Sequence, residues 1–558
     1  MIVQERSLPM ATTVAMLLLT GTAVLDAQDA EHGEVGNTAE NKEAGDVRIT
    51  PIDQTKPFFE STMVLPATPL DRGKGGYSGA KDYVYGNKIA QDDDGVITVL
   101  MHVRTGSGFP DMCPGYIAVT QSADLGETWS TPVTVFSLDQ GRYTVSGFVY
   151  APKSRQYVGL LTSHIKMRTG FHAAAEMRWL IGHDPERWEV VPFDARSGLM
   201  HLGRGNAHGK GHRIQTGPHA GRLLFTTKHF VDGKQVGLAA LMSDDDGATW
   251  RLGQPFLLKG GNEAGIAELR SGHLYVNVRN KHKSRWRTPR SEALSLDGGE
   301  TWQQEGPGGP FNTTWTDGDV ESYPTRLLPP GRDALMMFVN PTNDGPNRRP
   351  NHTVWFSYDD GATWPLYKIL WDVRNPAQGE GSASQQQLAV LRDGSIFSMS
   401  PVGTDPYKPV NRGLRCWRYN IAYIEDTDKR GSGRMHHRQM DLCFYGAGKE
   451  GARMAPSKYN FKGKRLWHSG SARYRFDAPG GKAKIRVRYF DAKDGSARFR
   501  LYVAGRKVSE WQGQADDDAW HEHQTSAVEL ATDDLIMLTG HPEGKDAARF
   551  DWIETVMP

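Results

Sequence analysis

The chain has 558 residues, with 66 Lys and Arg against 65 Asp and Glu and a formal net charge of +1. That length exceeds one ordinary core and points to two or three domains, and the balanced charge gives no ground for a polyanion partner such as nucleic acid. The 62 glycines imply many tight turns, and the 15 tryptophans imply either a large aromatic core or surfaces that stack on sugars. The three cysteines, Cys113, Cys416 and Cys443, form no C-x-x-C pair and no metal-ligand spacing. One disulfide at most is available, with Cys416 and Cys443 as its natural candidates, and no cofactor is indicated.

In chain order, Arg6 precedes an apolar run from Ala11 to Leu25 with Ala27 at a cleavage point. The run is too short to span a bilayer, so residues 1–27 read as a signal peptide, with an uncleaved anchor as the alternative. The expectation is a secreted or periplasmic protein with no stable membrane span. Residues 28–74 read as linker and lead-in, acidic and glycine-containing at first. Strings that obey S-x-D-x-G-x-T-W then start at Ser122, Ser243, Ser295 and Ser357: SADLGETW, SDDDGATW, SLDGGETW and SYDDGATW. A decayed copy, GHDPERW, lies at Gly182 to Trp188. The pitch is about 60 residues, the mark of a propeller or solenoid. Alternating apolar runs precede the boxes (GYIAVTQS, VGLAALMS, EALSLD and HTVWFSY), so each box reads as a turn between strands of a four-stranded blade. In such a turn the Asp carboxylate accepts backbone N–H groups, Gly takes a positive φ, and Trp packs into the blade.

Residues 431–458 read as a basic linker that includes His436 and His437, a solvated loop rather than a metal site. From 459 to 558 two-residue alternation returns. It sets Ile485, Val487 and Tyr489, then Phe499, Leu501 and Val503, on one face opposite arginines. This stretch reads as a small antiparallel β-sandwich, and Trp511, Trp520 and Trp552 are its candidate sugar-stacking or core residues.

The boxes are Asp-box repeats, and residues 75–430 resemble the sialidase (neuraminidase) superfamily of six-bladed β-propellers. The C-terminal stretch resembles the jelly-roll accessory domains of secreted polysaccharide-degrading enzymes. The fold class expected is therefore all-β: a six-bladed β-propeller followed by a β-sandwich. The resemblance implies a site with three arginines around the substrate carboxylate, a tyrosine nucleophile served by a glutamate, and an aspartate acid/base, the recorded exception to paired-carboxylate glycosidases.

Carried over residue by residue, GNEAGIAELRSGHLYVNVRN supplies Glu263 and Arg279, and the stretch before the fourth box supplies Arg349, beside Arg348. The first-arginine position holds Lys88, which keeps the charge but loses the bidentate fork. Arg104 matches an additional arginine and Asp111 the acid/base. The nucleophile position, in EGSASQQQLAVLRDGSIF, holds Gln385, whose amide cannot act as a phenolate does. The function expected is exo-acting hydrolysis releasing a terminal acidic sugar from a glycan, by a monomer, with Asp111 and Glu263 catalytic and Lys88, Arg104, Arg279, Arg349 and Gln385 contacting substrate. Two alternatives stand beside it. One is a uronic-acid polysaccharide-degrading enzyme with His208, His212 or Tyr323 as base. The other is a propeller that binds glycan without turnover.

Overall fold

The computed structural model of the protein describes residues 49–65, 83–104, 115–137, 141–165, 173–183, 187–197, 209–231, 234–256, 261–280, 290–307, 318–340, 351–361, 363–372, 385–403, 412–443, 446–447, 451–454, 460–461, 464–465, 470–493, 495–542 and 546–558. Among them, six four-stranded antiparallel sheets form. Their first strands are Tyr83–Gln91, Gly141–Ala151, Gly211–Arg213, Gly261–Glu268, Asp319–Ser322 and Gln387–Val390. Each lies against the first strand of the next sheet, and the last lies against the first, so the sheets close into the ring of a β-propeller. Five sheets are each built from four consecutive strands; the last takes its outer strand from Phe59–Leu65, inside the expected lead-in, which pairs with Arg412–Tyr419.

The boxes occupy the turns between third and fourth strands. In each, the Gly amide donates to the Ser Oγ (2.8 Å for Gly126, Gly247 and Gly361, 2.7 Å for Gly299), and the Thr amide donates to the Asp carboxylate. The Gly φ angles run from 86° to 98° across the four boxes, the left-handed region the turn demands. Burial works against ionisation of Asp245, and the hydrogen bonds from Thr249 and Ser243 outweigh it, holding the carboxyl below its usual range.

The Trp does more than pack into its own blade. Trp250 stacks on Trp179 of the preceding sheet at 4.8 Å, Trp302 meets Phe256 at 4.9 Å, and Trp129 meets Phe397 of the last sheet at 6.3 Å. Each box therefore joins one sheet to the one before it, and the aromatic payload is spent on holding the ring together. The inner strands pack just as closely. A methyl group at Gly211 would stand 2.2 Å from the Phe148 carbonyl oxygen, a backbone atom that cannot step aside. Gly211→Ala is expected to destabilise the protein by about 1–3 kcal/mol, read as a lower denaturant midpoint, with a neutral result excluding this tight contact.

His352 is fully buried between the fifth and last sheets, stacked on Trp417 at 4.4 Å with Nε2 2.9 Å from Ser398 Oγ. Burial drives its pKa down to about 3 from 6.5. The folded state therefore refuses a proton that the unfolded chain accepts. The contribution is complete above pH 6.5 and is lost as pH falls towards 3, at about 1.4 kcal/mol per pH unit. Thermal denaturation across that range is expected to show a shallower pH slope in His352→Gln than in the wild type, and equal slopes would contradict a neutral buried imidazole.

Cys416 carries a free thiol, buried in the core between the first and last sheets, so the expected Cys416–Cys443 pairing does not form. Burial pushes that thiol up to about 12.

Beyond the ring, two further sheets stack on one core containing Tyr474, Ile485, Val487, Phe499, Leu501, Leu538, Phe550 and Ile553. Short strands at Arg430–Gly431, Arg434–His436 and Asp441–Cys443 pair with their edges, in the region expected to be linker. Tyr502 and Met537 join the core of the fifth propeller sheet, and Arg500 Nη1 reaches Asp359 Oδ2 of the fourth box at 2.7 Å. One Asp-box carboxylate thus orders its own turn and docks the neighbouring sheet. No helix among the described residues is long and apolar enough to cross a membrane.

Candidate functional site

The inner strands begin at one mouth of the ring. A methyl group built on Gly86 would lie 3.5 Å from Gln385 Cγ, Gly209 N–H donates to Ser146 O at 3.0 Å, and Leu388 N–H donates to Asp319 Oδ2 at 2.9 Å. These contacts set neighbouring strands at matched heights. Three inner strands carry a register shift at this mouth, between Val84 and Gly86, Val145 and Gly147, and Gly261 and Ala264. Such bulges free a residue from the ladder and re-aim its side chain.

Glu263 sits in the third of these shifts. Its Oε2 accepts Arg279 Nη1 at 2.6 Å, and both side chains are buried. Arg279 lies in the adjacent strand Leu274–Asn280, one residue before the Gly261–Asn280 pair, and Glu263 lies two residues after Gly261, so the ladder itself sets carboxylate and guanidinium side by side. Arg104 ends the strand Ile97–Arg104 opposite Tyr83, at the same mouth, with Nη2 3.4 Å from Thr144 Oγ1. Gln385 is buried beside Gly86 and holds φ at 50°, a left-handed value uncommon outside glycine. His102 Nε2 accepts the Val145 N–H at 2.9 Å, which puts the proton of the neutral ring on Nδ1, the nitrogen beside Gly86. Asp111 and Arg349 lie outside the described residues.

One layer deeper is a charge network that sequence reasoning missed. Lys210 Nζ pairs with Glu321, donates to Leu388 O at 2.6 Å and lies 3.9 Å from Asp319 Oδ2. Asp319 accepts both the Val320 and the Leu388 N–H. Burial raises the Asp319 pKa, against the opposing pull of Lys210 and Lys88. For Lys210 burial acts to lower the pKa, and Glu321 and Asp319 outweigh it. Lys88, expected to face substrate, is buried and its charge acts on Asp319. A signal for this layer was the acidic strand start, DVES.

The inner strands finish at the opposite mouth, around a cavity of about 380 Å³ lined by residues such as Tyr150, His212, Glu268 and Tyr323. Tyr323 is held there by Gln54, whose Nε2 donates to its hydroxyl at 2.8 Å, and by the Gly394 carbonyl; burial pushes its pKa up. His212 Nε2 lies 3.8 Å from Glu268 Oε2. Two of the bases considered for elimination are thus at the far end from Glu263 and Arg279, and the third, His208, lies outside the described residues. Among the described residues, no three His, Cys, Asp or Glu side chains gather as a metal ion requires.

Residues 165–398 match the BNR repeat-like domain family. A sialidase of Micromonospora viridifaciens is 28% identical over 227 residues, 39% of this chain and 30% of that protein. A sialidase of Vibrio cholerae is 30% identical over 168 residues, 27% of this chain and 21% of that protein. The matched stretches are similar to the sialidase (BNR-repeat) superfamily. The matched stretches span less than a third of either relative. Among solved structures, the intramolecular trans-sialidase of Ruminococcus gnavus aligns over 62% of this chain and 96% of its own, at 15% identity and a TM-score of 0.49. In this chain Glu263, Arg279, Arg104 and Gln385 gather at one propeller mouth, while Lys88 stands behind them in the charge network.

Proposed function

We propose that the protein is an exo-acting glycoside hydrolase of the sialidase type that releases a terminal acidic sugar, sialic acid or a close relative, from a glycan. The observation that carries this reading is the buried Glu263–Arg279 pair at the mouth where the inner strands begin, 2.6 Å apart. A guanidinium aligned by a carboxylate suits recognition of an anionic sugar, and Arg104 adds a second cation at the same mouth. Relatives named as sialidases support the same chemistry.

With Gln385 where the superfamily has a tyrosine, a covalent intermediate on that position has no nucleophile. Glu263 then acts as general base on a water, and Asp111 protonates the leaving oxygen. Arg279, Arg349 and Arg104 bind the carboxylate. Gln385 contacts the sugar as a hydrogen-bonding amide, and Lys88 supplies charge from behind. The protein works as a monomer, exported to the periplasm or the exterior, on a glycan partner. Hydrolysis is favoured over elimination because His212 and Tyr323 stand at the other mouth. A panel of terminal sialosides and uronate polymers tests this. Free acidic sugar is the expected product, whereas ultraviolet absorbance from an unsaturated uronate, or binding without turnover, would overturn it.

A further inference from the structure

The outer face of the second C-terminal sheet holds a cleft of about 560 Å³ that the propeller chemistry does not use, bounded by His436, His437, Arg438, Arg488, Trp520 and Asp551. The sheet pairs Arg549 and Trp520 across Phe490, one on either side. Their side chains form a row on the face away from the Ile485–Val487 core. Arg488, two residues before Phe490, lies over the Trp520 ring at 5.0 Å, and Phe490 meets that ring edge-on at 5.3 Å. Trp520 reaches this place because residue 451 is glycine, where a methyl group would stand 2.7 Å from the indole.

The other two tryptophans of this region are committed elsewhere. Trp511 is stacked on His523 at 4.0 Å and on Phe499 at 5.3 Å, and Trp552 is buried with Arg434 over it at 4.1 Å. Arg488 gives Nη1 to Asp551 at 3.0 Å, and its other donors meet no protein acceptor among the described residues. Arg438 is exposed at the cleft and likewise unpaired among them. Among the described residues Asp551 is the one carboxylate lining the cleft, and it is already shared by Arg488, His436 and His437. Arg438, and the donors of Arg488 that Asp551 leaves open, can take a sugar carboxylate at this cleft, while the part of the indole not covered by Arg488 and Arg549 meets the apolar C–H groups of the ring.

We propose that this cleft binds carboxylated sugar units of an acidic glycan and so holds the full chain on its substrate. The choice of a glycan over another anion rests on the reading of the propeller given above. A second site on one chain raises the effective concentration of ligand at the first.

The test measures affinity of the full chain for polygalacturonate, with neutral dextran as control. Polygalacturonate is expected to bind and dextran not. Arg438→Ala and Arg488→Ala are each expected to weaken binding about tenfold, equivalent to about 1.4 kcal/mol, and Trp520→Ala comparably. Arg438 is exposed, so its variant keeps the fold, checked by an unchanged thermal midpoint. Glu263→Gln is expected to bind as the wild type does. Equal binding by Arg438→Ala and the wild type, equal retention on dextran, no retention at all, or loss of binding in Glu263→Gln alone would each overturn the proposal. Intact polymer binding with no sugar released from any sialoside would remove the hydrolase reading and leave this site supported.

Discussion

Glu263→Gln is expected to reduce kcat by about 10²–10⁴-fold, the range a positioned general base contributes. The substitution keeps the volume and leaves a carbonyl oxygen that can still accept Arg279 Nη1, so the local geometry persists. What disappears is the negative charge and the capacity to take a proton from water. Because that capacity matters in the transition state rather than in binding, kcat and kcat/KM should fall together with KM little changed. A rise in KM, if measured, would report separately a weaker hold on Arg279 by the neutral amide. The comparison is made well below the thermal midpoint of the variant, since removing one partner of a buried ion pair also costs stability. Unchanged turnover would remove Glu263 from the chemistry.

The largest expected effect on stability is at Asp319. Its carboxylate faces Lys210 and Lys88 and accepts two backbone N–H groups, one of them from Leu388 on the next inner strand. Asp319→Ala leaves two buried cations with less compensation and two backbone donors without an acceptor. The expected loss is about 3–5 kcal/mol, the scale for breaking a buried ion pair by removing one partner. Asp319→Asn should lose less, because an amide oxygen still accepts one N–H. Both are measured by denaturant unfolding. The contrast is Arg155→Ala, which removes an ion pair to Asp94 with both side chains more than half exposed and should leave the midpoint where it was. If Asp319→Ala behaved like Arg155→Ala, the inner charge network would have no part in closing the ring.

The two positions also show what a sequence can and cannot carry. The Asp boxes were legible because their chemistry is local. Ser, Asp, Gly and Thr within eight residues satisfy one another, so S-x-D-x-G-x-T-W encodes its own turn. The alternation in KIRVRYF and ARFRLYV was legible for a similar reason, since a strand declares its buried face every second residue. Closure of the ring was not, because Phe59–Leu65 pairs with a strand some 350 residues away and nothing local announces the partner. Neither was the reach of each box Trp to the preceding sheet, nor the thiol state of Cys416. At the site, resemblance located Glu263 and Arg279, and strand pairing sets them in contact. Lys88 was counted among the groups facing substrate, yet its charge acts on Asp319, a residue that no motif marked. Gln385 was recognised as an altered position. Its left-handed backbone and its packing beside Gly86 depend on neighbouring strands and could only be seen once the ring was assembled.

A single time course decides most directly whether this mouth is a hydrolytic site working without a tyrosine. Proton NMR would follow the full chain acting on an α-linked terminal sialoside and record the first anomer of any sugar released. Direct attack by a water activated at Glu263 gives the inverted anomer as first product, and its appearance is the expected result. First release of the retained anomer, or no free sugar at all, would contradict it.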